Sequence, residues 1–152
     1  MVVDVFGLSY VYALVIMVSA CASRPYTPSD VSSSSFLQRS LQQSNGPIAV
    51  EVAVPSAAES KALTGLDLYD QGIQPIWIKV TNNSNVMARV AHWSIDRHYF
   101  TPIEVAYMNR KPYSKAAYEN MERWFYENGM TRFIPPGESR EGVVFTNLTP
   151  GT

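Results

Sequence analysis

Between Pro75 and Thr81 the chain alternates strictly: Ile76, Ile78 and Val80 fall on one side, Trp77, Lys79 and Thr81 on the other. A period of two belongs to a half-buried strand and does not fit a helix. Ile48, Val50, Val52 and Val54, spaced by Ala49, Glu51 and Ala53, repeat the pattern until Pro55 ends it. These two stretches make the chain mainly β. Asn82-Asn83-Ser84-Asn85 follows the first of them, and such residues tolerate left-handed backbone and turn the chain. Val86 to Ile95, rich in Val, Met and Trp, is then expected to return as the second arm of a β-hairpin spanning Pro75–Ile95.

From Ser56 to Gly72 the alternation is lost. Ala57 to Leu63 has helical propensity, and Gly65 and Gly72 break the region into loops. Thr101-Pro102-Ile103-Glu104 is a helix start, with a hydroxyl N-cap, Pro at the first helical position and Glu closing a capping box. That helix is expected to reach Met108 or Asn109. A second is expected from Ser114 through Asn128, capped by Gly129, with Ala117, Met121, Trp124 and Phe125 along one face. Met130 to Ile134 returns to a strand pattern, Pro135 to Glu138 turns, and Gly142 to Thr146 forms a further strand. The last residues, Asn147 to Thr152, are turn-like where another strand is expected, which suggests a fragment or a missing closing strand. The whole predicts an antiparallel β-sandwich over residues 47–152, with a two-helix insertion at about 101–129.

The amino terminus differs in kind. Val5 through Val18 carries no charge and is mostly apolar, and it runs into Ser19, Ala20 and Cys21, the one cysteine of the chain. Val18-Ser19-Ala20-Cys21 resembles the lipobox of bacterial lipoproteins. The resemblance implies that residues 1–20 are a signal peptide and that Cys21 carries a diacylglycerol thioether on an acylated new amino terminus. Residues 1–20 hold no Lys or Arg, where a secretory leader usually opens on positive charge. An uncleaved anchor therefore stays open, although the apolar stretch is shorter than the about 20 residues of a full span. An ordinary small buried Cys21 is a third possibility. Ala22 rather than Asp follows the cysteine, and the same resemblance then implies sorting to the outer membrane, facing the periplasm. Pro25, Pro28, the Ser32–Ser35 run and Gln42-Gln43-Ser44-Asn45 give residues 21–46 the composition of a disordered tether.

Two further stretches carry a resemblance. Pro75 to Ser84, a strand closed by an Asn-x-Ser turn, and Ile134-Pro135-Pro136-Gly137-Glu138-Ser139 followed by Gly142-Val143-Val144-Phe145 look like corners of immunoglobulin-like domains in bacterial envelope lipoproteins. The implied fold is an immunoglobulin-like sandwich, from which the helices between Thr101 and Asn128 depart.

Charge is balanced, with 12 Lys and Arg against 13 Asp and Glu, so no nucleic acid or other polyanion is expected as a partner. With Cys21 acylated no internal disulfide can form, and packing alone must hold the fold. Catalytic patterns are sparse: there is no Gly-x-Ser-x-Gly elbow and no phosphate-cradling glycine loop. If the strand continues, His92, Asp96 and His98 share one face, but their spacing matches no standard zinc motif, and the favoured reading is that both histidines cap backbone groups. No cofactor or metal is expected. Aromatic residues are dense around the helices. Phe100, Tyr107, Trp124 and Phe125 suit packing onto the sheet, whereas Tyr113, Tyr118 and Tyr126 lie off the apolar stripe and are candidates for an exposed contact surface. The expectation is a non-enzymatic, lipid-anchored envelope module that binds another envelope protein. The alternative is a small-molecule or lipid-binding accessory of an envelope enzyme, with an aromatic pocket under the helices.

Overall fold

The computed structural model describes residues 24–148. The expected leader, Cys21 and residues 149–152 lie outside them. Six strands and four helices make up the fold: β1 (Leu41–Asn45), β2 (Ile48–Ala53), α1 (Ala57–Thr64), β3 (Ile73–Asn82), β4 (Ala88–Arg89), α2 (His92–Ile95), α3 (Pro102–Met108), α4 (Lys115–Asn128), β5 (Phe133–Ile134) and β6 (Ser139–Asn147). Strands β1-β2-β3-β6, in that order, form an antiparallel sheet, and β4-β5 form a separate antiparallel ribbon. Antiparallel sheet with a few helices agrees with the expected class and is compatible with a β-sandwich.

The alternating strands sort their side chains to two faces. Ala53, Ile73, Trp77, Val143 and Phe145 face the helices, where they join Leu63, Val105, Met121 and Phe125 in the larger core. The even-numbered residues, Ile78, Val80 and Val144 with Ile48, Val50 and Val52, face the ribbon, and only Met130 and Ile134 bury deeply against them. One face of the sheet is therefore thickly covered and the other thinly.

Helices α3 and α4 lie where the capping signals place them. Thr101 Oγ1 accepts from Glu104 N, while a Glu104 carboxylate oxygen accepts from Thr101 N, both at 3.2 Å. Ser114 Oγ accepts from Ala117 N and opens α4. Gly129 follows α4 as expected but is extended rather than left-handed (φ −69°). Glycine is needed there for a different reason, because a Cβ would stand 2.6 Å from Pro102 Cγ. Gly142 is tighter still: a Cβ there would lie 2.6 Å from Met130 N and Cα. The Gly129–Met130 backbone crosses directly over β6, and Met130 N donates to Val143 O at 3.0 Å.

Two expectations fail. The Pro75–Ile95 hairpin does not form. Strand β3 already has a neighbour on each edge, β2 and β6, so the returning chain has no edge to pair with. It crosses the sheet face instead, where Ala88 and Arg89 pair with Ile134 and Phe133, and His92–Ile95 closes into one helical turn.

The tether, for its described part, is built into the fold. Residues 31–33 and 35–39 form 3-10 turns and bury Val31 and Phe36 in the larger core. Burying a phenylalanine stabilises by roughly 1.5–3 kcal/mol, which offsets the ordering of about two residues, and the bonds of this segment to α1 and β2 add to it. Arg39 grips both carboxylate oxygens of Glu59 on α1, at 3.0 and 2.7 Å, and Ser29 N donates to the end of α1. Leu41–Asn45 then pairs with β2 across Gly46-Pro47, with Gly46 at φ +59°, where glycine is unstrained.

Candidate functional site

Of the three tyrosines expected at a contact surface, Tyr113 and Tyr118 are partly buried. Tyr113 sits edge-on to Tyr26 with ring centroids 6.1 Å apart, and both are packed against the larger core. Burial and then the Tyr113 phenol push the Tyr26 hydroxyl well above the usual tyrosine range. Tyr118 is half-buried and donates to the Glu122 carboxylate at 2.6 Å, which pushes its pKa up to about 12. Of the three, Tyr126 is the exposed one, at 76%. With Ile103 it borders a hollow of about 450 Å³ between α3 and the end of α4.

His92, Asp96 and His98 are not a ligand set either. His92 Nε2–H donates to the Met130 carbonyl at 3.1 Å, and its ring stacks on Tyr99. Asp96 accepts from the Asn147 backbone N–H at 2.7 Å, from His98 N–H at 2.8 Å and from Asn147 Nδ2 at 3.0 Å. The Asn147 and His98 backbone donors hold its carboxyl below the usual carboxylate range. Asp96 and the His98 carbonyl form a clasp that ties the loop after α2 to Asn147 at the end of β6, and His92 is held apart on Met130. Among the described residues no group of three or more His, Cys, Asp or Glu side chains is placed to hold a metal ion.

A second feature of ligand-binding size, lined almost wholly by Ile, Val and Ala, lies on the thinly covered face. There a groove of about 460 Å³ runs between the sheet and the β4–α2 segment. Its floor is Val50, Val52, Ile76, Ile78 and Val80, and Val90, Ile95 and Ile134 stand over them. The volume falls within the about 300–1,000 Å³ typical of small-molecule sites, and such sites are mostly apolar with few polar groups. Arg89 is the one charged residue that lines it. Beneath α4, Met121 and Phe125 fill the space down to Phe145, with the Phe125 and Phe145 ring centroids 5.2 Å apart, and a smaller space of about 200 Å³ lined by Tyr99, Phe100, Pro102 and Phe145 opens at the start of α3.

Asn82 keeps the groove's roof in place. It is fully buried, and its Nδ2 donates to Val86 O at 2.8 Å and Ile134 O at 3.0 Å. Its Oδ1 accepts from Ser84 N and Ser84 Oγ. One side chain thus joins the end of β3 to both the turn before β4 and the strand β5. The Asn-x-Ser signal in the sequence marks this junction as well as a turn.

The sequence shows the floor residues as the apolar side of two strands. It does not show which face stays open, because that depends on where the chain after Asn82 crosses. Comparison of the chain with family models, with curated proteins and with solved structures returns no match.

Proposed function

We propose that this chain is a non-enzymatic binding module of the bacterial envelope, lipid-anchored through Cys21 at the outer membrane and facing the periplasm, and that it holds an apolar ligand in the groove opposite its helices. The observation that carries the ligand-binding part is the groove itself: an open, apolar cleft of about 460 Å³ whose floor is rigid sheet. A floor of paired strands presents its side chains in fixed register, which suits a site that is formed before the ligand arrives. The anchor rests on Val18-Ser19-Ala20-Cys21 alone. The immunoglobulin-like character rests on the Pro135–Glu138 corner leading into β6 and on the Asn82 turn. In that view the ribbon is a reduced second layer of the sandwich.

Binding of 1-anilinonaphthalene-8-sulfonate to the folded chain tests the site. Saturable binding that Val50→Trp abolishes, with the melting temperature unchanged, supports the groove. Non-saturable binding, or binding indifferent to Val50→Trp, refutes it. A second reading, contact with an envelope protein, is favoured by the exposed Tyr126 and by Ile103 and Tyr107 on the neighbouring helix α3. Replacing Tyr126 with Ala should then release that partner while leaving dye binding intact.

A further inference from the structure

Among the described residues, the strand edge that borders the groove has no pairing partner. β4 has β5 as its one neighbouring strand, and Val90 N–H donates to Arg132 O across that ribbon at 2.9 Å. Backbone groups of successive residues point to opposite edges of an antiparallel ladder, so Arg89 turns its N–H and C=O away from β5. Its side chain does not enter the groove. Ala88 and Val90 pack inward against the smaller core, and by alternation Arg89 points out to solvent, where it is exposed. Arg89 nevertheless borders the groove, and what it presents there is backbone. The floor beyond it belongs to β2 and β3, with Ile48, Val50 and Val52 in a row along β2. Leu41 is paired with Val52 and so shares this face, where it stands 78% exposed at the rim. The layer over the sheet therefore stops one strand short. β5 and β4 are present, and the next position is the groove.

Resting on the groove reading above, we infer that the occupant is an extended segment of a partner protein that adds to the free edge of β4, its apolar side chains set on the Ile48, Val50 and Val52 floor and its acidic side chains alternating outward beside Arg89. Strand addition draws affinity from main-chain hydrogen bonds and specificity from alternate side chains. The edge supplies the first, and the two sides of the added strand supply the second. A side chain of the outward set is a cross-strand neighbour of Arg89, where opposite charges attract. Among the described residues Arg89 has no carboxylate within ion-pairing distance, so its charge is free to select the partner. The floor residues Ile48, Val50 and Val52 span about 13 Å at about 3.3 Å per residue, which sets the added segment at about five residues.

Titration of the full chain with a short blocked peptide of alternating glutamate and valine tests the inference, beside its lysine–valine counterpart. The readouts are displacement of 1-anilinonaphthalene-8-sulfonate, hydrogen exchange of the Arg89 amide, and the response to Arg89→Glu. The expected result is saturable binding that displaces the dye and slows exchange of the Arg89 amide about fivefold or more, because that N–H gains an acceptor. The lysine peptide should bind more weakly. Arg89→Glu, an exposed change that leaves the core untouched, should reverse that order and weaken the glutamate peptide about fivefold, as one exposed ion pair warrants. Dye binding without peptide binding overturns the strand partner and leaves the apolar groove standing as a site for a small amphiphile. Equal binding of the two peptides, or an order that Arg89→Glu does not change, overturns the acidic assignment. An Arg89 amide whose exchange is unaltered in the bound state overturns the edge pairing. Failure of dye and peptides alike removes both the inference and the groove.

Discussion

Replacing Asn82 with Ala should cost about 3 kcal/mol and loosen the roof of the groove. The side chain is wholly buried and makes two short donor bonds, at 2.8 Å to Val86 O and 3.0 Å to Ile134 O, with a longer contact to Pro135 O at 3.3 Å. A net bond is worth about 1 kcal/mol, and a buried carbonyl left without a donor adds about 1–3 kcal/mol, so the sum lands near that figure. Urea unfolding followed by tryptophan fluorescence would show it as a lower midpoint with an unchanged slope. Asn82→Asp is the sharper perturbation. An ionised carboxylate there faces the same carbonyl oxygens, so burial and repulsion raise its folded-state pKa above the unfolded value of about 3.9. Protonation then binds more tightly in the folded state, and the variant regains stability as pH falls and loses it as pH rises through the raised value. Its midpoint relative to wild type should therefore improve between neutral and mildly acid solution. A loss under about 0.5 kcal/mol for Asn82→Ala, the size of an ordinary surface change, or an Asp variant whose deficit does not change with pH, would refute the junction.

Gly142→Ala should cost about 1–3 kcal/mol and shift the amide signals of Met130 and Val143, because its Cβ meets backbone rather than a side chain that can swing away; an unchanged melting temperature would contradict the close crossing. Phe36→Ala should cost about 3–5 kcal/mol as a core truncation and open residues 31–45 to limited proteolysis, whereas a disordered tether would be cut equally in wild type. Arg39 first, and then the Ser56 N–H, hold the Glu59 carboxyl well below the ordinary range. A carboxyl depressed in the folded state stabilises above its unfolded pKa of about 4.3 and loses that contribution as pH falls toward the folded value. Wild type should therefore melt higher than Arg39→Gln at neutral pH, and the gap should close in strong acid; a gap independent of pH would show that the pair does not act through charge.

Helices were the most legible part of the fold, because their signals are local. Thr101, Pro102 and Glu104 state a start within one turn, and Ser114 to Asn128 keep one apolar stripe. The strand interiors were legible for the same reason. Pairing was not, because it depends on which edges remain free. Val86 to Ile95 has the composition of a return strand, yet β6, arriving from more than fifty residues later, occupies the edge it would need. Leu41-Gln42-Gln43-Ser44-Asn45 shows no apolar alternation and becomes a strand through backbone pairing with β2 alone. Phe36 in a serine-rich stretch was the available hint that the segment is anchored. The candidate site was legible residue by residue and not as a site: Val50, Ile78 and Val80 announce a buried face, but Ala88 and Ile134, more than forty positions apart, meet only through the β4–β5 ribbon.

The most direct test of the groove is a methyl-selective NMR titration of the chain with 1-anilinonaphthalene-8-sulfonate. Saturating shifts at the methyl groups of Val50, Ile78, Val80, Val90 and Ile134, with Ile103 and Leu63 unmoved, are the predicted result. Shifts centred on Ile103 beside Tyr126, or no saturable shift anywhere, would contradict a ligand site on this face of the sheet.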